Sequence, residues 1–207
     1  GLFYSGARVH VEGVAPSNSM VVVVVRGGER QEEFYRKVRV GPVWLSGEKV
    51  TISGVPALFY RFSSGPLREF LHRETIDRYQ LDEASIKSQM RIEPDEDRDQ
   101  IVSSWLTLKA EEGTYTLNRL ALGRGAKRHD EAPFTVDFAW PRSVPTAVYQ
   151  VTVYECRDGL VERSSTRSLP VVMVGFPAWL SSLATDHALL YGVASALAAI
   201  LVGLAIN

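Results

Sequence analysis

The chain has 207 residues, of which 45% are hydrophobic and 23% are charged, and its formal net charge at neutral pH is −1. The length fits one domain plus an appendage, and this composition can support a packed core. The near-neutral charge argues against a nucleic-acid-binding surface, and the single cysteine, Cys156, excludes an internal disulfide framework and a multi-cysteine metal site.

The first third of the chain predicts β-strands. In "ARVHVEGVAP" the hydrophobic Val9 and Val11 alternate with polar residues, as in a strand with one buried face. Five consecutive valines follow at 21–25 and are closed by two glycines; a β-branched run of this kind is typical of a central strand covered on both faces. The stretches "EFYRKVRVGPVWLSG" and "EKVTISGVPALFYRFSSGP" are strand-like and are interrupted at glycine and proline.

The middle of the chain, about 66–112, predicts a short helical insertion. In "PLREFLHRETIDRYQLDEASI" Leu67, Phe70 and Leu71 fall on one helix face. A clearer helix follows in "DEDRDQIVSSWLTLKAEEG", with acidic residues in the first turn and Gly113 where a helix commonly ends.

Strands return after the insertion. "FTVDFAW" alternates aromatic and aliphatic residues with polar ones, and "VYQVTVYECRDGLVERSSTRSLPVVMV" predicts a hairpin with a tight turn at Asp158-Gly159. Short strands with regular turns indicate a mainly β fold. We therefore predict an Ig-like two-sheet β-sandwich over 1–174, interrupted by the helical insertion.

The C-terminal end predicts a membrane anchor. Residues 188–206 carry no charge, and a helix of 19 residues would span roughly 28 Å, close to the thickness of the hydrocarbon core of a bilayer. A wholly buried soluble helix is the alternative, but such a helix is usually shorter and has a polar face. Residues 175–187 predict an amphipathic segment at the membrane interface, with Trp179 and Tyr191 suited to the headgroup boundary.

Small residues mark one face of the predicted transmembrane helix. They lie four, three and four residues apart, at Gly192, Ala196, Ala199 and Gly203. Such a face lets a second helix approach closely. The partner that we expect is another integral membrane protein or a second copy of this chain.

The sequence contains no catalytic or metal-binding motif. His10, His72, His129 and His187 lack the spacing of metal ligands, and Cys156 has no histidine placed near it. The basic loop "GRGAKRH" contributes Arg124, Lys127 and Arg128, which are expected either to be solvated or to contact lipid phosphate or an acidic partner. We predict no cofactor and no enzymatic activity.

Five strings, in chain order, resemble a bacterial family of alphaproteobacterial transmembrane proteins: "VVVVVRGG", "WLSGEKVTISGVPALFYRFSSGPL", "WLTLKAEEGTY", "VPTAVYQVTVYECRDG" and "VGFPAWLSSLATDHALLYG". The resemblance implies a signal peptide, a β-rich extracytoplasmic region and one C-terminal membrane span. It implies no particular activity. Members are often encoded near permeases of the sulfite-exporter type.

Two functions are compatible with these features. The first is a non-catalytic accessory or structural subunit, held in the bacterial inner membrane by a single span, with its soluble domain in the periplasm. It would dock on an integral membrane complex for transport, respiration or photosynthesis. The second is a periplasmic oxyanion-binding module that assists a sulfite-exporter-type permease, with Arg124, Lys127 and Arg128 as its contacts.

Overall fold

The computed structural model describes residues 7–40, 42–119, 122–126, 129–141 and 143–172, and in the tail residues 184–189, 191, 192, 196, 200 and 202. The chain divides into two compact units. One covers Ser5–Pro170, and the other combines Gly1–Tyr4 with Val171–Asn207.

The described elements, in chain order, are β1 (Arg8–Pro16), β2 (Met20–Arg26), β3 (Glu29–Val40), β4 (Val43–Pro56), β5 (Phe59–Ser63), α1 (Leu67–Phe70), α2 (Arg73–Arg78), α3 (Glu83–Gln89), β6 (Arg91–Glu93), α4 (Arg98–Glu111), β7 (Tyr115–Arg119), β8 (Leu122–Arg124), β9 (Glu131–Ala139), β10 (Ala147–Arg157) and β11 (Leu160–Val171). The mainly β prediction is confirmed. Helices α1–α4 lie inside the stretch predicted to be helical.

Strand β2 is the centre of the largest sheet, a five-stranded sheet in the order β11-β10-β2-β5-β7. Its valines are at most 5% exposed. The five-valine run is therefore covered on both faces, as its composition predicts. Burial of so many β-branched side chains makes β2 the main hydrophobic support of the sheet.

One face of the five-stranded sheet is covered by the helices. Val22 and Val24 belong to a buried cluster that also contains Ile76, Ile86 and Trp105, which come from α2, α3 and α4. The connection from β5 to β7 runs through α1, α2, α3 and α4, and β5 and β7 are parallel neighbours. Because parallel strands cannot be joined by a tight turn, the helical segment is the crossover that this pair requires.

The opposite face of the five-stranded sheet meets a three-stranded sheet, ordered β1-β9-β8. Phe138 of β9 packs on Tyr60 and Phe62 of β5, with ring centroids 5.4 and 5.3 Å apart. Trp140 packs edge-on against Tyr149 of β10 at 4.7 Å. Strand β9 alternates exposed and buried residues along its whole length, as predicted.

A third sheet departs from the predicted two-sheet sandwich. Strands β3, β4 and β6 form it, and β6 comes from inside the helical segment. The β3–β4 hairpin has irregular register at two places, between Arg30 and Glu32 and between Tyr35 and Lys37. Such irregularities bend a strand pair and change its twist. An all-antiparallel Ig-like arrangement is also not matched, because β5 and β7 are parallel.

The turn between β10 and β11 contacts the helical segment. Asp158 and Gly159 have φ values of +50° and +83°, the combination that favours Asp-Gly in a tight hairpin turn. The Gly159 carbonyl accepts hydrogen bonds from the backbone N–H of His72 and from the hydroxyl of Thr75, at 3.0 and 2.9 Å. A Cβ at residue 159 would lie 2.3 Å from the His72 ring, so glycine is required here.

The tail is described only in part. Residues 184–186, 188, 189, 191, 192, 196, 200 and 202 are helical, and the Tyr191 N–H donates to the His187 carbonyl at 3.0 Å. Within the residues that can be described, no helix has the length and apolar character needed to cross a membrane. Much of the predicted span 188–206 lies outside those residues, so the span stays a prediction.

Candidate functional site

A cleft of about 520 Å³ opens between β5 and the first three helices. Its walls combine basic, acidic and apolar side chains. Its lining includes Arg61, Arg68, Lys87, Pro66, Leu67 and Ile76. The volume lies within the range of pockets that hold small organic molecules.

Arg61 is the most buried charged residue of the cleft. It lies in β5, between aromatic residues that face the opposite side of the sheet, and only 9% of its surface is exposed. Its Nη1 donates to the Leu81 carbonyl at 2.7 Å, which fixes the guanidinium against the loop before α3. Burial lowers the pKa of Arg61, and the nearby Asp82 opposes that effect.

The acidic residues of the cleft are already paired. Asp82 begins α3, accepts from the Ser85 N–H at 2.9 Å and forms an ion pair with Arg73, also at 2.9 Å. Burial opposes the ionisation of Asp82, but the hydrogen bonds from Ser85 and the charge of Arg73 outweigh it and lower the pKa of Asp82. Glu83 pairs with Lys87 at 2.7 Å.

Arg68 is exposed at the rim of the cleft. Among the described residues, no carboxylate lies within 4.0 Å of its guanidinium. The charged lining residues are Arg61, Arg68, Lys87, Asp82 and Glu83, and Arg61 is attracted by Asp82.

Sequence reasoning did not identify this cleft. The signal was present, because "LFYRFS" places one arginine in an otherwise apolar strand. A buried arginine needs hydrogen-bond partners, and that requirement could have marked Arg61 as unusual. Its surroundings, however, come from Leu67, Ile76 and Leu81, which the crossover brings back over β5.

The basic loop is described except at Lys127 and Arg128. Arg124 ends β8, and its Nη2 donates to the carbonyls of Pro16 and Ser19 at 3.0 and 3.2 Å. Partial burial lowers the pKa of Arg124. This side chain therefore ties β8 to the end of β1. Lys127 and Arg128 lie outside the described residues, so the predicted anion or partner contact at this loop stays a prediction.

The predicted membrane-helix residues are partly described. Gly192 and Ala196 are helical and exposed, and a Cβ added to Gly192 would meet no atom within 4 Å. Tyr191 is 37% exposed. Trp179, Ala199 and Gly203 lie outside the described residues, and the helix-packing and interfacial roles stay predictions.

The titratable residues considered for catalysis are dispersed in the part of the chain that the structure describes. Cys156 is fully buried in β10, and burial raises the pKa of its thiol to about 12. Such a thiol stays protonated at neutral pH and is a poor nucleophile. His10 lies on β1 and is hydrogen-bonded to Asp137 at 2.8 Å. No group of three potential metal ligands converges among the described residues.

Strand β11 (Leu160–Val171) is exposed to solvent. It is the outer strand of the five-stranded sheet, and β10 is its one hydrogen-bonded neighbour among the described strands. No residue of β11 is buried. Glu162, Arg163 and Arg167 lie along it, and Pro170 near its end lacks a backbone N–H. Charges and proline on an outer strand limit indiscriminate strand pairing.

Comparison with known proteins gives one finding. Residues 1–207 match the model of a family described as "Putative transmembrane protein (Alph_Pro_TM)". No curated protein and no solved structure matches the chain. The match covers the whole sequence and confirms the resemblance drawn from its sequence strings: the chain belongs to this family.

Proposed function

We propose that the chain is a non-catalytic accessory subunit of an integral membrane complex. A single C-terminal helix holds it in the bacterial inner membrane, and the β-rich unit lies in the periplasm. The complex serves transport, respiration or photosynthesis, and the subunit docks on it through the membrane helix.

The observation that carries this proposal is the uncharged run 188–206 with its small-residue face. Nineteen residues of helix cover roughly the 30 Å hydrocarbon core of a bilayer. The Tyr191 N–H donates to the His187 carbonyl four residues earlier, which is the hydrogen bond of an α-helix. Membership of a transmembrane family supports the same interpretation.

The small residues provide a surface for a neighbouring helix. Gly192, Ala196, Ala199 and Gly203 fall on one side of an α-helix and carry little side-chain volume. In a bilayer, helices associate through close packing, since lipid is as apolar as the side chains. A bulky residue on this side would keep the partner helix at a distance.

The exposed strand β11 supports a role in assembly. No described strand pairs with its outer edge, which offers backbone N–H and C=O groups in extended conformation to a partner. Glu162, Arg163 and Arg167 add charge along it. The strand ends at Val171, so in sequence it directly precedes the C-terminal segment.

The experiment is affinity purification of the tagged full-length chain from its native membrane in mild detergent, followed by mass spectrometry. We expect a stoichiometric integral membrane partner. Ala196→Leu and Gly203→Leu should reduce recovery of that partner. Ala194→Leu is the matched control, because residue 194 lies about 200° around the helix from both Gly192 and Ala196.

Recovery of the chain as a monomer or as a dimer of itself would contradict the accessory-subunit proposal. If Ala196→Leu, Gly203→Leu and Ala194→Leu all recover the partner equally, the small-residue face is not the contact surface. The accessory-subunit proposal itself would not be contradicted by that result. A circular dichroism spectrum unchanged from wild type establishes that each variant has folded.

A further inference from the structure

Strand β11 has an outer edge to which a further strand can be added. Its 12 residues run from Leu160 to Val171, and no described strand pairs with that edge. None of them is buried, and residues 163–168 are all exposed. The segment from Val161 to Leu169 is about 26 Å long at the usual rise per residue of a strand. The exposed edge is therefore long enough to form a continuous ladder with an extended segment of another chain.

The charge along this edge is positive. Arg163 and Arg167 are exposed, and the guanidinium of neither forms an ion pair or a hydrogen bond with a side chain that the structure describes. Glu162, the acidic residue of β11, is paired with Arg157 at 3.2 Å. Two arginines without a counter-charge, four residues apart, therefore determine which charge a strand added here must carry.

The type of basic residue also matters. Charged residues on an outer strand, lysine above all, prevent unrelated strands from pairing with it. Both basic residues of β11 are arginines, whose planar guanidinium binds a carboxylate through two parallel hydrogen bonds. The side chains that disfavour a neutral or basic strand thus favour an acidic one, and discrimination of this kind is how an interface becomes specific.

A second copy of this chain is a poor occupant of the edge. If β11 paired with itself in antiparallel orientation, centred on Ser165, Arg163 of each copy would lie opposite Arg167 of the other. Like charges directly opposite each other destabilise a strand pair, whereas opposite charges stabilise it. The charges of β11 therefore favour a different, acidic chain.

We infer that β11 binds an extended acidic segment of a partner protein, which adds to the sheet as a sixth strand. Two carboxylates four residues apart in that segment lie opposite Arg163 and Arg167, and its backbone pairs with the outer edge of β11. This inference rests on the accessory-subunit proposal for the existence of a partner. It adds the chemistry that the partner presents to β11.

The test is binding of labelled synthetic peptides to the full-length chain in nonionic detergent, measured by fluorescence anisotropy. The probe SVETSVETS has two glutamates four residues apart. SVKTSVKTS has the opposite charge, and a fully N-methylated SVETSVETS keeps the charge but has no backbone N–H. We expect saturable binding of the probe that weakens as salt is added, and binding of both comparison peptides at least tenfold weaker.

Charge reversal on β11 identifies the contact residues. The double variant Arg163→Glu, Arg167→Glu should bind SVETSVETS at least tenfold more weakly than wild type and SVKTSVKTS more tightly than wild type. The matched control is Arg30→Glu, Arg91→Glu, which changes the net charge equally at exposed positions of β3 and β6 and should leave both affinities within about twofold of wild type. A thermal melt checks that both double variants fold.

Hydrogen exchange followed by mass spectrometry locates the bound peptide. Backbone N–H groups of β11 that become paired should exchange more slowly when SVETSVETS is present at saturation. We expect this protection in peptic fragments that contain 161–169, and none in fragments of β3 or β6.

Four results would each overturn the inference: no saturable binding of SVETSVETS, equal binding of its N-methylated form, wild-type affinity in the β11 double variant, or protection of another segment instead of β11. Equal binding of the N-methylated form would mean attraction by charge alone. Purification of a stoichiometric membrane partner remains possible under all four results. Failure of the acidic-strand inference is therefore distinguishable from failure of the accessory-subunit proposal.

Discussion

Strands β2 and β11 belong to the same five-stranded sheet and differ in almost everything else. The valines of β2 are at most 5% exposed, whereas no residue of β11 is buried. β2 has a hydrogen-bonded neighbour on each side, β10 and β5, and β11 lies at the outer end of the strand order. One sheet thus contains both the most protected segment of the unit and a strand open to solvent.

The difference in burial indicates that the interior of the sheet stabilises the fold and that the exposed strand is available to a partner. The interior of the sheet, with the helices on one face and β9 on the other, holds the apolar surface whose burial stabilises the unit. The exposed margin contributes little to that burial and is free to vary in sequence or to meet a partner. We therefore expect substitutions in the interior of the sheet to lower the free energy of unfolding strongly, and substitutions on β11 to change it little.

The largest effect is expected at the centre of β2. Val23→Asp places a carboxylate at a fully buried position, and we expect the free energy of unfolding to fall by about 4 kcal/mol or more. Urea denaturation followed by circular dichroism measures the loss. Ser165→Asp on β11 is the matched control and should change stability by less than about 0.5 kcal/mol. Equal losses of stability in Val23→Asp and Ser165→Asp would show that the burial of β2 and the exposure of β11 do not determine their contributions to stability.

A smaller effect is expected where α4 meets β3. The Lys109 ammonium is 2.9 Å from Glu32 and 2.8 Å from Glu112, and its side chain is only 8% exposed. Lys109→Ala leaves Glu32 without this cation and should cost about 3 kcal/mol. The same denaturation experiment on Lys49→Ala supplies the control.

Lys49 pairs with Glu33 at 2.9 Å, but both side chains are about half exposed. Solvent screens such a pair, so its loss should cost less than about 1 kcal/mol. If Lys49→Ala were as destabilising as Lys109→Ala, burial would not determine how much an ion pair contributes to stability in this protein.

The smallest effect concerns pH at the surface of the three-stranded sheet. The hydrogen bond to Asp137 and its charge raise the pKa of His10 above 6.5. A raised pKa means that protonated His10 favours the folded state. The contribution is complete below pH 6.5 and disappears as pH rises through the raised pKa.

We therefore expect His10→Gln to lower the melting temperature slightly at pH 5.5 and not at pH 8.5. Asp137→Asn should remove the same pH dependence, since it removes the partner of His10. A deficit in His10→Gln that grows with rising pH would contradict this assignment.

Local features of the fold could be predicted from the sequence because short-range chemistry decides them. The five-valine run, the alternation in β9 and the Asp158-Gly159 turn each have one favourable conformation. Gly113, with φ of +70°, follows α4 as expected for a residue that ends a helix.

Strand pairing and the cleft could not be predicted, because they depend on contacts between distant residues. Periodicity identifies a strand but not its neighbour, and it gave no sign that β5 and β7 are parallel. The predicted helical insertion is instead an essential connection of the sheet. The cleft exists only because this connection returns Leu81 and Ile76 to the face of β5 that carries Arg61.

The central position of β2 has a consequence for synthesis of the chain. Val21 pairs with Glu155, so one partner strand of β2 is translated long after β2 itself. The ribosome therefore exposes a five-valine segment whose second edge stays open until β10 has emerged. Segments of high β-propensity with an open edge are prone to aggregate. The nascent protein should accordingly depend on a chaperone, or on delayed folding, until residue 157 is available.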